Sequence, residues 1–251
     1  MGEIISACAD GVLELRFNRP EKKNALTQAM YRTLVDELRQ AEVDDEIKAV
    51  VLTAAGSDFC AGNDIQDFAR DLPAFQASGG ATEDLPVFQF LKCLTFFEKP
   101  LIAAVKGKAA GVGVTLLLHC DLVVVADDIA LTLPFLKLGL VPEAGSTLLL
   151  PQRIGHARTF AWMALGEAVG AEAARDLGLA NRVVPAGDLA ASAAEMAKTV
   201  AALPAEAVRH TKAFLRDPDV TWQVVRAEAE VFRTLLFSTE AQAAFAAFLA
   251  R

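Results

Sequence analysis

The chain has 251 residues, 53% hydrophobic and 22% charged, with a formal net charge of −8. That length suits one large α/β domain, or a core with a helical appendage, and the composition can fill a core, which excludes global disorder. The acidic balance argues against a nucleic-acid surface, which would carry a basic stripe, and no apolar run reaches the ~18 residues of a membrane span.

In chain order, residues 12–17 alternate apolar and polar as a half-buried strand does. Asn18-Arg19-Pro20 breaks it, and Thr27 caps a helix expected to run to about Ala41, with Met30, Leu34, Val35 and Leu38 on one face. Residues 49–53 are a short apolar run, typical of a buried strand. A loop follows to Gly62, and Asp64 begins a short helix. Residues 71–86 mix Pro, Gly, Ser and acids without periodicity and read as a loop or lid. A helix over residues 87–97, a buried strand over 101–105, a glycine-rich turn, a buried apolar helix over 112–120 and strands at 122–126 and 130–133 come next. Pro142 is expected at the first position of a helix that ends before Pro151. From Asp188 onward only helical patterns remain. The expected organisation is an α/β core over residues 1–190 and a helical region over 191–251, whose apolar face (Trp222, Val225, Phe232, Leu235, Leu236) must bury against the core or a partner.

Four cysteines (Cys8, Cys60, Cys93, Cys120) show no C-x-x-C spacing, and three histidines (His119, His156, His210) are scattered, so no metal site or redox pair is signalled. His119, Cys120 and Asp121 are sequence neighbours, and neighbours on a helix point in different directions. The chain's first residues have neither the basic nor the apolar region of a secretory signal, and its last are not a peroxisomal address, so the cytoplasm is the expected compartment.

Three segments carry chemistry. Phe59-Cys60-Ala61-Gly62-Asn63-Asp64-Ile65 joins a strand to a helix, where free N–H groups favour negative charge. Taken alone, the segment is better explained as an ordinary strand-to-helix turn with Asp64 near the helix start. Residues 106–115 hold Gly107, Gly111 and Gly113 but lack the ending of a phosphate-binding loop. Close helix–sheet packing would explain those glycines. Two such turns together can aim two N–H groups at one oxygen, as an oxyanion hole does. The third, Leu138-Gly139-Leu140-Val141-Pro142-Glu143-Ala144-Gly145, is explained by a helix start. It can also place Glu143 as a base among Phe135, Leu136, Leu138, Leu140 and Val141, where burial would raise its pKa.

At these three segments, and at Asn18-Arg19-Pro20-Glu21-Lys22-Lys23-Asn24-Ala25-Leu26-Thr27, the sequence resembles the crotonase family, the enoyl-CoA hydratases and isomerases, from about residue 3 to 250. The resemblance implies a ββα spiral core with a C-terminal helical region used in trimer formation, as a homotrimer or dimer of trimers. It implies an acyl-CoA thioester as substrate, with coenzyme A part of that substrate and no further cofactor. By the same resemblance, the backbone N–H groups of Asn63 and Val112 form the oxyanion hole. Lys22, Asn24, Ala25, Ala61, Gly62, Asp64, Ile65, Gly111 and Phe135 line the substrate site. The family's hydratases carry two glutamates, at positions that match Thr115 and Phe135 here, so a hydratase of the usual kind is not expected. Pro142-Glu143 matches the catalytic glutamate of peroxisomal-type Δ3,Δ2-enoyl-CoA isomerases. The alternatives are hydration or thioester hydrolysis by another acid (Asp64, Asp67 or Glu83), and an acyl-CoA-binding protein without catalysis.

Overall fold

A computed structural model describes residues 2–67, 70 and 84–249. The segment 71–86 expected as a loop or lid falls outside these residues except at 84–86, as does the candidate acid Glu83.

Six strands form one sheet in the order β1 (Ile4–Ala9), β2 (Val12–Phe17), β3 (Ala49–Ala54), β4 (Leu101–Val105), β6 (Leu122–Ala126), β8 (Arg182–Val184). β1 and β2 pair antiparallel, and every later neighbour pairs parallel. β5 (Lys108–Ala110) and β7 (Ala130–Thr132) form a second, parallel pair. β3 and β4 are covered on both faces, which is why they read as continuous apolar runs. β2 alternates because one face is only partly covered. β1 and β5 escape the sequence reading: the outer residues of β1 are exposed and β5 is three residues long, so neither leaves a period.

Helix α1 (Gln28–Val43) starts where expected, its first turn capped by Thr27 Oγ1, which accepts from Met30 N–H at 3.1 Å. Its apolar face is buried against the sheet and α2 (Pro86–Phe96). A short helix α3 (Val112–Thr115) continues as a 3-10 turn over Leu116–Leu118, all of it buried.

The helix expected from Pro142 is not there. Residues 139–145 are irregular, and α4 runs Ser146–Ile154 with Pro151 inside it. Ala144 and Gly145 both take positive φ (62° and 70°), which no helix can contain, so the helix begins after them.

Helices α5 (His156–Leu165), α6 (Ala171–Asp176), α7 (Leu189–Ala201), α8 (Ala205–Leu215), α9 (Pro218–Leu236) and α10 (Thr239–Leu249) complete the fold. Ala193 and Ala197 of α7 and Val225 of α9 belong to the same buried cluster as β3 and β4. Trp222 lies against Phe88 with ring centroids 4.9 Å apart. The apolar face of the C-terminal region is thus largely satisfied within the chain. Phe214 and Leu215, at the end of α8, remain 89% and 80% exposed.

Candidate active site

The turns after β3 and β4 are joined to each other. Ala110 N–H donates to Cys60 C=O at 2.9 Å, and Cys60 and Ala109 form an isolated parallel bridge. The glycines make this approach possible: a Cβ on Gly113 would lie 2.5 Å from the Cys60 carbonyl oxygen. Gly111, at φ 53° and ψ −122°, adopts a backbone conformation that side chains disfavour.

This stitching aims two backbone donors outward. Leu26 N–H donates to Gly62 C=O (2.8 Å), and Asp64 N–H to Leu26 C=O (2.9 Å). Along an extended segment alternate residues face opposite ways, so Asn63 N–H points away from Leu26. Val112 is the first residue of a helix, where the N–H has no partner within the helix. Neither group donates to a backbone carbonyl among the described residues.

A cavity of about 850 Å³ is lined by Lys22, Ala25, Ala61, Gly62, Asn63, Asp64, Ile65, Gly111, Val112 and Phe135. It therefore gathers all the expected binding residues but one. The exception is Asn24, which is fully buried and does not line it. Its amide donates to Ala55 C=O (2.9 Å) and Asp58 C=O (2.8 Å) and accepts from Arg19 N–H (2.8 Å). With φ at 55° it is a turn-forming residue that holds the entry loop, which corrects its expected role.

A smaller pocket of about 70 Å³ adjoins the large one at Asn63, Phe232, Leu236 and Phe237, and Glu143 lies on its wall. The Glu143 side chain is 8% exposed and accepts a hydrogen bond from Thr115 Oγ1 at 2.5 Å. Burial pushes its carboxyl up to about 8; the Thr115 hydroxyl pulls the other way, and the nearby Glu228 charge adds to the rise. The apolar surroundings come from Leu85, Val87, Phe88 and Leu91 before and on α2 and from Val225 and Ala229 on α9. Of the neighbours expected around Glu143, none lines this pocket; Leu138, Leu140 and Phe135 face the larger cavity, and Leu136 is 42% exposed.

Other acids considered from the sequence are engaged elsewhere. Asp64 loses solvent on burial, but N–H donors of Asp67 and Gln66 and the Arg19 guanidinium (2.6 Å) outweigh this and hold its carboxyl below the usual range. Asp67 accepts from Gln28 N–H at 2.7 Å and pairs with Arg70.

Sequence reasoning missed four residues around the site. Thr115, read only as a missing acid, hydrogen-bonds Glu143. Tyr31, fully buried, donates from its hydroxyl to Asn63 Oδ1 at 2.6 Å. His119 and Glu228 contact the Ala144–Gly145 peptide, one residue beyond Glu143. Glu228 did leave a signal: a carboxylate on the apolar stripe Thr221, Val225, Glu228, Leu236 of α9.

A buried, basic carboxyl beside a cavity that also presents unpaired backbone donors is the architecture of an enzyme cleft. The family model for enoyl-CoA hydratase/isomerase matches residues 7–251, and the chain belongs to that family, the crotonases, whose enzymes process acyl-CoA thioesters. It is 37% identical over 201 residues to the 1,2-epoxyphenylacetyl-CoA isomerase of Escherichia coli K12, covering 80% of this chain and 77% of that one. It is 32% identical over 255 residues to enoyl-CoA delta isomerase 2 of Rattus norvegicus, covering 99% of this chain and 63% of that longer protein. Among solved structures, an enoyl-CoA hydratase/isomerase from Pseudoalteromonas atlantica T6c superposes with a TM-score of 0.92 at 37% identity, over 99% of this chain and 97% of that one. The expected crotonase fold is therefore the observed one.

Proposed function

We propose that this protein is a Δ3,Δ2-enoyl-CoA isomerase in which Glu143 moves the proton. The observation that carries this reading is Glu143 itself: the only carboxyl among the described residues lining the small pocket, with its pKa raised to about 8. A 1,3-proton shift needs one base and no added water. Glu143 as carboxylate takes a proton from C2; the C2–H bond breaks and its electrons pass into a dienolate. The Asn63 and Val112 N–H groups hold the thioester oxygen, each such donor lowering the barrier by about 3 kcal/mol. Protonated Glu143 then returns the proton to C4, the C4–H bond forms and the double bond moves to C2–C3. A carboxyl of raised pKa is a stronger base than an ordinary one and, once protonated, an adequate acid. The reaction needs no cofactor beyond the coenzyme A that the substrate carries. Thr115 and Phe135, at the positions of the two hydratase glutamates, cannot divide a water between two acids. The delta isomerase relative supports the same reading.

The test is turnover of a 3-enoyl-CoA to the conjugated 2-enoyl-CoA, followed by the absorbance of the product. Glu143→Gln should bind the thioester and fail to isomerise it, and wild-type turnover by that variant overturns the assignment. Loss of absorbance from a 2-enoyl-CoA would signal water addition instead. The similarity to an epoxyphenylacetyl-CoA isomerase favours a second reading, an isomerase of an acyl-CoA bearing an aromatic epoxide. Competing the two substrate types separates them. The exposed Phe214 and Leu215 support contact between copies of the chain, and the homotrimer expected from the family resemblance would be measured by light scattering.

A further inference from the structure

The peptide that joins Ala144 to Gly145 is held at both ends. Its carbonyl lies 2.8 Å from Nε2 of His119, which is buried at the end of the turn after α3. Its N–H donates to Oε2 of Glu228 at 2.7 Å, from the middle of α9. The other Glu228 oxygen accepts from Thr147 N–H (2.9 Å) and Thr147 Oγ1 (2.6 Å). A carbonyl oxygen only accepts, so His119 Nε2 carries the proton and the ring has a fixed tautomer. Burial pushes the His119 pKa down to about 4, so at neutral pH the ring is neutral and remains a single donor there.

This peptide lies one residue beyond Glu143, separated from it only by the Glu143–Ala144 peptide, and the backbone around it is unusual. Ala144 has φ 62°, a left-handed conformation that a residue with a Cβ avoids, and Gly145 has φ 70°. Freed from both partners, this peptide could turn about Ala144, and the left-handed turn that sets the course of the backbone leaving Glu143 would relax. His119 and Glu228 lie 109 residues apart (228 − 119) and come from different layers of the fold, yet they grip opposite poles of one peptide dipole.

We propose that His119 and Glu228 are positioning residues for the Glu143 reaction: together they lock the Ala144–Gly145 peptide plane, which keeps the Glu143 carboxyl against Thr115 and facing the pocket. The lock is tied to the acyl end of the site, because the helix bearing Glu228 also supplies Val225, Ala229 and Phe232 to the pocket wall. Both residues hold the backbone and line neither pocket, and Glu228 in addition raises the Glu143 pKa through its charge, so their loss should spare binding. The inference rests on Glu143 being the reacting group.

Four variants test it: His119→Leu removes the donor, His119→Gln restores an N–H at the same reach, Glu228→Gln removes the charge and one good acceptor, and His119→Leu with Glu228→Gln combines the losses. Each is compared at equal folded fraction, judged by circular dichroism and the melting temperature. The expected result is a kcat about 10–100-fold lower in His119→Leu and in Glu228→Gln with KM within about twofold. His119→Gln should recover most of kcat, and the double variant should lose less than the product of the single losses, because both singles free the same peptide. An unchanged kcat in well-folded variants, a His119→Gln loss equal to that of His119→Leu, or a rise in KM that accounts for the whole effect overturns the proposal. Carboxyl carbon NMR, with the Glu143 signal assigned from Glu143→Gln, reads the same geometry without substrate. If the wild type fails to isomerise a 3-enoyl-CoA while the Glu143 signal moves in His119→Leu and not in His119→Gln, the isomerase reading fails and the lock stands. If the wild type turns over and that signal stays put in every variant, the lock fails alone.

Discussion

The paired turns after β3 and β4 and the loop that carries Glu143 open on adjoining pockets, but they are built differently. The turns are stitched at their donor ends by backbone, Cys60 to Ala110, Gly62 to Leu26 and Leu26 to Asp64, with the Asn24 amide bracing the Ala55 and Asp58 carbonyls behind them. The Glu143 loop is held by side chains from remote elements: Thr115 from α3, His119 from the turn after it, Glu228 from α9. A backbone frame presents N–H donors at fixed positions and leaves little to tune. A side-chain frame sets both the direction and the basicity of one carboxyl, and single substitutions can shift either.

The strongest way to separate the two is Glu143→Gln. We expect turnover to fall about 10³-fold while the thioester still binds, since the donors on the turns remain. The same change should stabilise the protein at alkaline pH. A carboxyl whose folded pKa is raised contributes its full stability below its ordinary value of 4.5 and loses it as pH climbs through about 8. Removing it should raise stability by up to about 5 kcal/mol above pH 8, measured by denaturant unfolding at two pH values. No such gain would show that Glu143 is not held in a low-dielectric pocket.

Gly113→Ala attacks the other frame. Its Cβ would press on the Cys60 carbonyl at 2.5 Å, so the two turns must part. A stability loss of about 3 kcal/mol, with binding and turnover both impaired, is expected from melting and titration with a CoA ester. Asn24→Ala removes one hydrogen bond within the entry loop and two that tie it to the turn after β3. It should cost about 2–3 kcal/mol in denaturant unfolding and leave thioester affinity per folded molecule nearly unchanged. A specific loss of affinity would return Asn24 to the binding site.

The smallest effect is on the pH profile. Activity should rise with pH through about 8, because the carboxylate is the form that removes the proton. Burial sets this value first, with the Thr115 hydroxyl lowering it and the Glu228 charge raising it; the Tyr31 hydroxyl lies nearby and Arg233 is on the pocket wall. Thr115→Val removes the hydrogen bond that lowers the pKa, so the rise should move to higher pH with a turnover loss of about 3–10-fold. A rise that moves to lower pH would mean that the hydroxyl does not favour the ionised form.

What was legible followed from how each part is held. Buried strands, the Thr27 cap and the glycine pairs have local causes: apolar runs, a hydroxyl before a helix, backbone shapes that only Gly tolerates. The Glu143 loop had no such local cause. Pro142-Glu143 reads as a helix start, yet the helix begins at Ser146, because Ala144 and Gly145 turn left-handed under restraints from residues 25 and more positions away. Asn24 was legible as an entry-loop residue but not as a structural one, since its partners Ala55 and Asp58 lie more than 30 positions on.

By itself, then, the sequence determined the α/β core, the two glycine-rich turns and the presence of one glutamate where a base could stand. Only the tertiary structure decided what that glutamate is: a buried carboxyl with a pKa near 8, hydrogen-bonded to Thr115 and followed by a peptide held from two sides. The physical reason is that strand burial and turn shape depend on residues adjacent in the chain, whereas desolvation and a neighbouring charge depend on what packs nearby in space.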